Sequence, residues 1–279
     1  MGSRCWITLA VLSATLCPAV MRAQQVTRYV RYEHNGAVHY GLLDGEEVRQ
    51  LAGDPFSVAS ETGATVPLGS VRLLSPTVPG KVIAVGLNYK SHLGDREEPL
   101  YPGLFAKMPT SIIGPDESIV IPPDAEDVHY EGELVVVIGK LAKNVTREQA
   151  HEYIFGVTAG NDVSERGWQR ADLQWFRAKG ADTFGPIGPT IVSGLDYNNL
   201  LVETRLNGEV RQSERSKDLL FDVNEIVSYV SRYVTLMPGD VIFTGTPGST
   251  SPMRGGDVVE IEVEGVGVLR NPVVEDGSP

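Results

Sequence analysis

Short β-prone runs separated by turn signals make up much of this chain, and few stretches show convincing helical spacing. Residues 26–52 read as a small meander of β-prone runs such as Thr27 to Tyr32. Asn35-Gly36 and Asp44-Gly45 supply its hairpin turns. Residues 53–80 look loop-rich, with Pro55, Pro67, Pro76 and Pro79, and a domain boundary falls near Gly80. An apolar strand from Lys81 to Val85 opens the body. Two helices carry start signals. One begins at Thr146, with Gln149 three residues on, and runs through Tyr153. The other begins at Asp222 with Glu225 in the same relation, and Val223, Ile226, Val227 and Val230 recur at helical spacing. Strands follow at Val241 to Thr244 and from Val258 to Leu269. The pattern predicts an α+β, β-rich fold.

One strand departs from simple alternation. In HYEGELVVVIG, Glu131 and Glu133 share a face, about 7 Å apart at Cα from the strand rise. Val135 and Val137 continue that face, while Leu134, Val136 and Ile138 line the other. A strand apolar on both faces is usually buried. Two anions entering it need a strong partner, because unpaired buried charge is costly. A hard divalent cation meets that need, since oxygen-only ligands suit magnesium, manganese or calcium, and Asp162 in GNDVSERGWQR is a third carboxylate on a strand-rich stretch. The bland alternative is a solvated acidic face. Glu260, Glu262 and Glu264, alternating with Val259, Ile261 and Val263, supply that version in the same chain.

The formal charge of −12 argues against nucleic acid and anionic membrane as partners, since phosphate binding is driven by Lys and Arg. Residues 1–23 resemble a secretory signal: Arg4, an apolar stretch from Cys5 to Val20, then Ala23 as a cleavage site. An uncleaved anchor or an organellar transit segment are the alternatives. A secreted or periplasmic mature chain would lack both cysteines, Cys5 and Cys17, which removes a disulfide framework, a thiol nucleophile and zinc-thiolate sites.

Three further segments carry candidate chemistry. His92 follows a strand and a polar turn in VGLNYKSHLGDREEP, either as a general base or as an exposed loop histidine. Lys179, flanked by Phe176 and Phe184, is either an enclosed amine ready for an anionic substrate or a lysine with a wet head. FTGTPGS, Phe243 to Ser249, is either an anion-holding turn or only a turn. No G-x-S-x-G elbow, Walker loop or zincin motif is present, and Gly265-Val266-Gly267 lacks the third glycine of a dinucleotide loop.

Seven segments stand in a diagnostic order: VGLNYKSH, LFAKMPTSIIGP, HYEGELVVVIGK, GNDVSERGWQR, AKGADTFGPIGP, LNGEVRQ and TLMPGDVIFTGTPG. Together they resemble the fumarylacetoacetate hydrolase family over roughly residues 81–274, and residues 24–80 resemble the small N-terminal β domain of one branch. The resemblance implies a β-sandwich-like roll behind a small N-terminal β meander, usually in a homodimer. It assigns Glu131, Glu133 and Asp162 to magnesium or manganese, with calcium the third candidate. It makes Lys179 the active-site lysine, and Lys107, Gly245 and Thr246 substrate-binding residues. His92 matches the histidine that activates water with a nearby glutamate. Here the chain departs, because His92-Leu93-Gly94-Asp95 offers an aspartate where family hydrolases commonly show a glutamate. Asp95 is either a shorter-reaching substitute or part of a lid that lacks three residues.

The expected substrate is a small 2-oxo or diketo acid, whose carboxylate and keto oxygens chelate the metal. The leading expectation is hydrolytic carbon–carbon cleavage of an acylpyruvate through a metal-held enolate, with His92, oriented by Asp95, as base. The same enolate serves isomerases of the 2-hydroxyhepta-2,4-diene-1,7-dioate and 5-carboxymethyl-2-hydroxymuconate type, oxo-acid decarboxylases and sugar-acid dehydratases. A secreted oxo-acid binder without turnover is the reading from another class.

Overall fold

The computed structural model describes Gly2 and residues 25–277. The expected signal segment, with Cys5 and Cys17, otherwise lies outside the described residues. The described residues build two large sheets packed face to face and a two-stranded ladder of Val128–His129 with Ser164–Glu165. The larger is twelve-stranded. Its main path runs Ser60–Pro67, Glu47–Ala52, Ala37–Asp44, Thr27–His34, Gly185–Ser193, Ile154–Asn161, Gly132–Ile138, Val241–Phe243, Val82–Gly86, Gly103–Lys107. The smaller has five strands: Glu209–Arg215, Leu201–Leu206, Val258–Val263, Gly267–Glu275 and Ile119–Ile121. The meander is hydrogen-bonded into the large sheet, because Thr27–His34 pairs antiparallel with Gly185–Ser193.

The core forms between the sheets. Leu134, Val136 and Ile138 meet Val202, Val259, Ile261 and Val263 of the smaller sheet there. Val135 and Val137 pack on the opposite face with Val82, Ile187, Ile191 and Phe243. The strand Gly132–Ile138 is therefore buried along its whole length, as its doubly apolar pattern requires. Each valine of that run contributes about 1.5–3 kcal/mol by leaving water. The sheets approach so closely at Gly132 that a Cβ there would sit 2.0 Å from Thr204 Oγ1.

Helices are few. The longest, α4, spans Val223–Tyr233, and Asp222 caps it by accepting from Glu225 N at 2.9 Å. Three shorter ones are α1 (Lys90–Leu93), α2 (Arg166–Ala171) and α3 (Phe176–Gly180). The helix expected from Thr146 shrinks to a 3₁₀ turn at Ala150–Glu152. Its capping contact forms, with Gln149 N to Thr146 Oγ1 at 3.4 Å, but Ile154 and its successors join the central sheet and end the helix early. Residues 53–80 hold more structure than expected: Ser60–Pro67 is an exposed edge strand whose polar residues carry no alternation. The Val258–Leu269 stretch divides into two strands, joined by a turn with Gly265 at φ +78°.

Candidate metal and oxo-acid site

The ladder between Gly132–Ile138 and Ile154–Asn161 brings the acids together. Gly132 pairs with Asn161, and Asp162 N donates to Glu131 O at 2.8 Å. Asn161 Oδ1 accepts from Glu131 N at 2.9 Å, which fixes the strand entry. Glu131, Glu133 and Asp162 are all buried, and one carboxylate oxygen of each lies within 4.8 Å of the others. The structure thus brings together the three residues that the sequence pattern proposes as ligands.

Two buried lysines close the cluster from behind. Lys179, on α3, donates to Glu131 Oε2 and Asp162 Oδ2, both at 2.6 Å. Lys107 ends the strand Gly103–Lys107, donates to Asp162 Oδ1 at 2.6 Å and also reaches the Lys179 carbonyl. The ring over Lys179 Nζ belongs to Phe105, 4.9 Å from its centroid. Of the two phenylalanines expected to enclose that amine, Phe184 is buried and Phe176 is 66 % exposed. Arg166 Nη2 donates to Glu131 Oε1 at 2.5 Å.

These neighbours split the titration of the acids. Burial alone would raise the Glu131 carboxyl, but Lys179 and Arg166 outweigh it and hold it well below the usual carboxylate range. Glu133 makes no ion pair among the described residues, and Lys179 acts on it only weakly, as the smallest of the charges it feels. Burial first, then the charges of Asp162 and Glu131, push it well above the usual range, against one hydrogen bond from Gly245 N at 2.6 Å. Burial depresses Lys107 despite Asp162. Burial also opposes the charge of Lys179, but Asp162 and Glu131 prevail and raise it.

The Phe243–Ser249 turn forms the next wall. Gly245 holds φ +109°, and a Cβ there would meet Asn88 Cβ at 2.7 Å, so only glycine aims this amide at Glu133. Thr246 Oγ1 donates to Gly132 O at 2.9 Å and accepts from Gln212 Nε2 at 2.8 Å. Asn88 ties this turn to the loop before α1, donating to Thr244 O at 2.7 Å and Phe221 O at 3.0 Å.

A cavity of about 400 Å³ opens over the cluster. His92, Glu131, Glu133, Lys179 and Thr246 line it, and so do Arg96, Arg166, Arg170, Trp175 and Thr250. His92 Nδ1 donates to Gly248 O at 2.6 Å. In the neutral ring the bare nitrogen is therefore Nε2, which lies 3.9 Å from Glu131 Oε1. Asp95 is exposed and is absent from the cavity lining, so the partner that orients His92 here is the Gly248 carbonyl. Three further residues of the site, Arg166, Gln212 and Thr250, are not singled out by the sequence pattern. The first two sit inside the segments GNDVSERGWQR and LNGEVRQ, but nothing in their local pattern marks them as facing the acids.

Such an oxygen-only, buried and anionic donor set suits magnesium, manganese or calcium. Among the described residues Glu133 makes no ion pair with a lysine or arginine, which leaves its charge for a cation to offset. Comparison with known proteins agrees. Residues 81–274 match the family described as Fumarylacetoacetate (FAA) hydrolase C-terminal, and residues 27–76 match Rv2993c-like, N-terminal. The chain belongs to the fumarylacetoacetate hydrolase family. It is 44% identical to Protein Rv2993c of Mycobacterium tuberculosis over 254 residues, covering 87% of this chain and 96% of that protein. Against rat oxaloacetate tautomerase Fahd2a, mitochondrial, identity is 40%, with 75% and 71% covered. The structure of a 5-carboxymethyl-2-hydroxymuconate delta-isomerase from Mycobacterium smegmatis superposes with TM-score 0.85 at 46% identity, over 89% of this chain and 100% of that one. A maleylpyruvate hydrolase from Sphingobium sp. SYK-6, solved with manganese(II) and pyruvate, gives TM-score 0.74 at 28% identity, over 89% and 99%. Family members are hydrolases, isomerases or tautomerases, so the family supports an enzyme of this group without choosing the reaction. Among the described residues no helix is long and apolar enough to cross a membrane.

Proposed function

We propose that this protein is a divalent-metal-dependent enzyme that shifts a proton between carbon and oxygen in a 2-oxo dicarboxylic acid, as an isomerase or tautomerase. The observation that carries this reading is His92: Nδ1 is committed to the Gly248 carbonyl, and Nε2 faces the cavity. A base so held accepts a proton from C3, beside the oxo group. The C–H electron pair then forms the C2–C3 double bond, and the oxo oxygen becomes the enol oxygen when it takes a proton. Water activation asks for more, namely a carboxylate beside the base to orient water. Asp95 is exposed, and Glu131 Oε1 is already held by Arg166.

The cation that Glu131, Glu133 and Asp162 would hold supplies Lewis acidity toward the carboxylate and oxo oxygens. Lys179 offsets negative charge as the enol forms, and its burial beneath Phe105 keeps water from screening it. Arg96, Arg166 and Arg170 at the cavity wall suit a second carboxylate. The tautomerase and isomerase relatives support the same chemistry. Hydrolysis of an acylpyruvate is the second reading, favoured by the likeness to a maleylpyruvate hydrolase.

Two assays with added manganese separate the readings: ketonisation of enol-oxaloacetate and pyruvate release from an acylpyruvate. Ketonisation well above the buffer rate, with no pyruvate release, is expected. Rapid pyruvate release without ketonisation overturns the proposal in favour of hydrolysis. Binding without either reaction would leave a non-catalytic oxo-acid binder. We also propose export directed by residues 1–23, checked by the mass of the mature chain from its host, and a homodimer, checked by light scattering.

A further inference from the structure

Thr250 joins the cavity to a hydrogen-bonded chain outside it. Its Oγ1 accepts from Arg166 Nη2 at 2.9 Å and shares a hydrogen bond with His129 Nδ1 at 2.8 Å. His129 Nε2 donates to Asp127 Oδ1 at 2.8 Å. The backbone holds these groups in one frame. Met253 N donates to Val128 O at 2.7 Å, Arg166 N donates to Asp127 O at 2.9 Å, and His129 pairs with Ser164. Tyr130 and Ser251 add a hydroxyl contact at 3.0 Å. Thr250 is thus anchored on both sides, unlike a residue of a free loop.

Arg166 is where this chain of hydrogen bonds meets the acids. Its Nη1 donates to Gln169 Oε1 at 2.8 Å, and its Nη2 is divided between Thr250 Oγ1 and Glu131 Oε1. Both oxygens of Glu131 already face cations, Arg166 on one and Lys179 on the other. A metal ion claiming Glu131 must therefore share an oxygen with one of these cations, which it repels. Lys179 is enclosed, with a side chain 2 % exposed, and its other acceptor, Asp162, is itself one of the three acids, whereas Arg166 is 14 % exposed and has Thr250 as an acceptor outside them. Thr250 lets Arg166 loosen its hold on Glu131 without leaving an N–H bare, which would otherwise cost a buried hydrogen bond.

We propose that Asp127, His129 and Thr250 form a positioning strut that holds Arg166 and thereby sets how freely Glu131 can ligate a divalent cation. The strut rests on the metal-site reading but not on which reaction the site performs. The test is manganese binding to the full purified chain, without substrate, by electron paramagnetic resonance. Thr250→Val keeps the shape and removes the acceptor. It should weaken manganese binding about tenfold, the low end for groups supporting a metal ligand. Thr250→Ser should bind within about twofold of wild type, since the hydroxyl returns. In an Arg166→Gln background, Thr250→Val should cause no further loss, because the strut then has nothing to hold. Wild-type affinity in Thr250→Val overturns the strut, as does an undiminished loss in the Arg166→Gln background. A wild-type chain that binds no manganese defeats the metal reading itself, and the strut with it.

Discussion

The sequence writes Glu-x-Glu on a strand twice, and the two copies meet opposite fates. Glu131 and Glu133 enter a strand covered on both faces and are 4 % and 1 % exposed. Glu260 and Glu262 lie on Val258–Val263, where only the alternate residues Val259, Ile261 and Val263 are buried. Glu262 keeps 41 % of its side chain exposed and pairs with Arg205 at 2.6 Å. The acidic residues have the same spacing in both strands, but their downstream neighbours differ. After Glu133 both parities turn apolar, so the strand must run through the centre of the fold and carries its carboxylates inward. After Glu260 the acidic parity stays acidic and remains wet. Buried carboxylates persist only with strong partners, and at the first site these are Lys179, Lys107, Arg166 and a place for a cation.

The most forceful way to break this contrast is to remove Glu133. Magnesium or manganese should raise the melting temperature of the wild type, as any ligand selective for the folded state must. In Glu133→Ala that rise should vanish, and turnover should fall about 10³-fold or more, because Lewis-acid stabilisation contributes several kcal/mol. An equal thermal rise in the alanine variant would exclude Glu133 as a ligand.

His92 comes next in expected size. His92→Ala should lower turnover by about 10²–10⁴-fold while manganese affinity stays at the wild-type level, because the imidazole serves as base and the ligands are carboxylates. Asp95→Asn should leave turnover within about twofold, as for most exposed positions. A large loss in Asp95→Asn with none in His92→Ala would reverse these roles. Steady-state rates beside calorimetric metal binding decide the matter.

Without metal, the buried pair should also show itself in the pH dependence of stability. The Glu133 carboxyl lies well above its ordinary value of 4.5 in the folded chain, so the folded state holds that proton more tightly than the unfolded state. Its contribution is complete below 4.5 and is lost as pH rises through the elevated value. Glu131 is shifted the other way, so its contribution is present above the ordinary value and lost as pH falls below it. Melting curves with chelator between about pH 5 and 9 should therefore decline on the alkaline side, and Glu133→Gln should flatten the decline. A decline of unchanged slope in Glu133→Gln would assign it to another group.

Much of the fold and of the site is legible in the sequence, for physical reasons. Glu131 and Glu133 are legible because the two-residue strand period and the doubly apolar run constrain both face and depth, whereas Asp162, just past a different strand, takes its ligand role from the resemblance of its segment. The helix α4 is legible from its cap and its stripe. The helices α1, α2 and α3 are not, although they present His92, Arg166 and Lys179. They are four to six residues long and largely polar, and they form because the sheet edge and the acids position them. Thr250 is hidden for a similar reason. Its partners His129 and Arg166 are distant in sequence, and only the pairing of Val128–His129 with Ser164–Glu165 brings their segments alongside one another. The exposed strand Ser60–Pro67 carries no periodicity because neither face is buried.

The smallest effect is expected at the solvated copy of the motif. In Glu262→Gln the Arg205 guanidinium keeps Glu203, so no charge is stranded. A partly exposed pair of this kind contributes at most about 1 kcal/mol, and part of that survives in the remaining contact. The melting temperature should therefore move by no more than about 2–4 °C, and by less at high salt, which screens both wild type and variant. The manganese-induced rise should be unchanged, because the strand turns these carboxylates toward solvent rather than toward the cavity. Thermal melts of wild type, Glu262→Gln and Glu133→Ala, each with chelator and with manganese, put the two copies side by side. A manganese response lost in Glu262→Gln as fully as in Glu133→Ala would mean that burial is not what separates them, and the contrast between the two strands would fail.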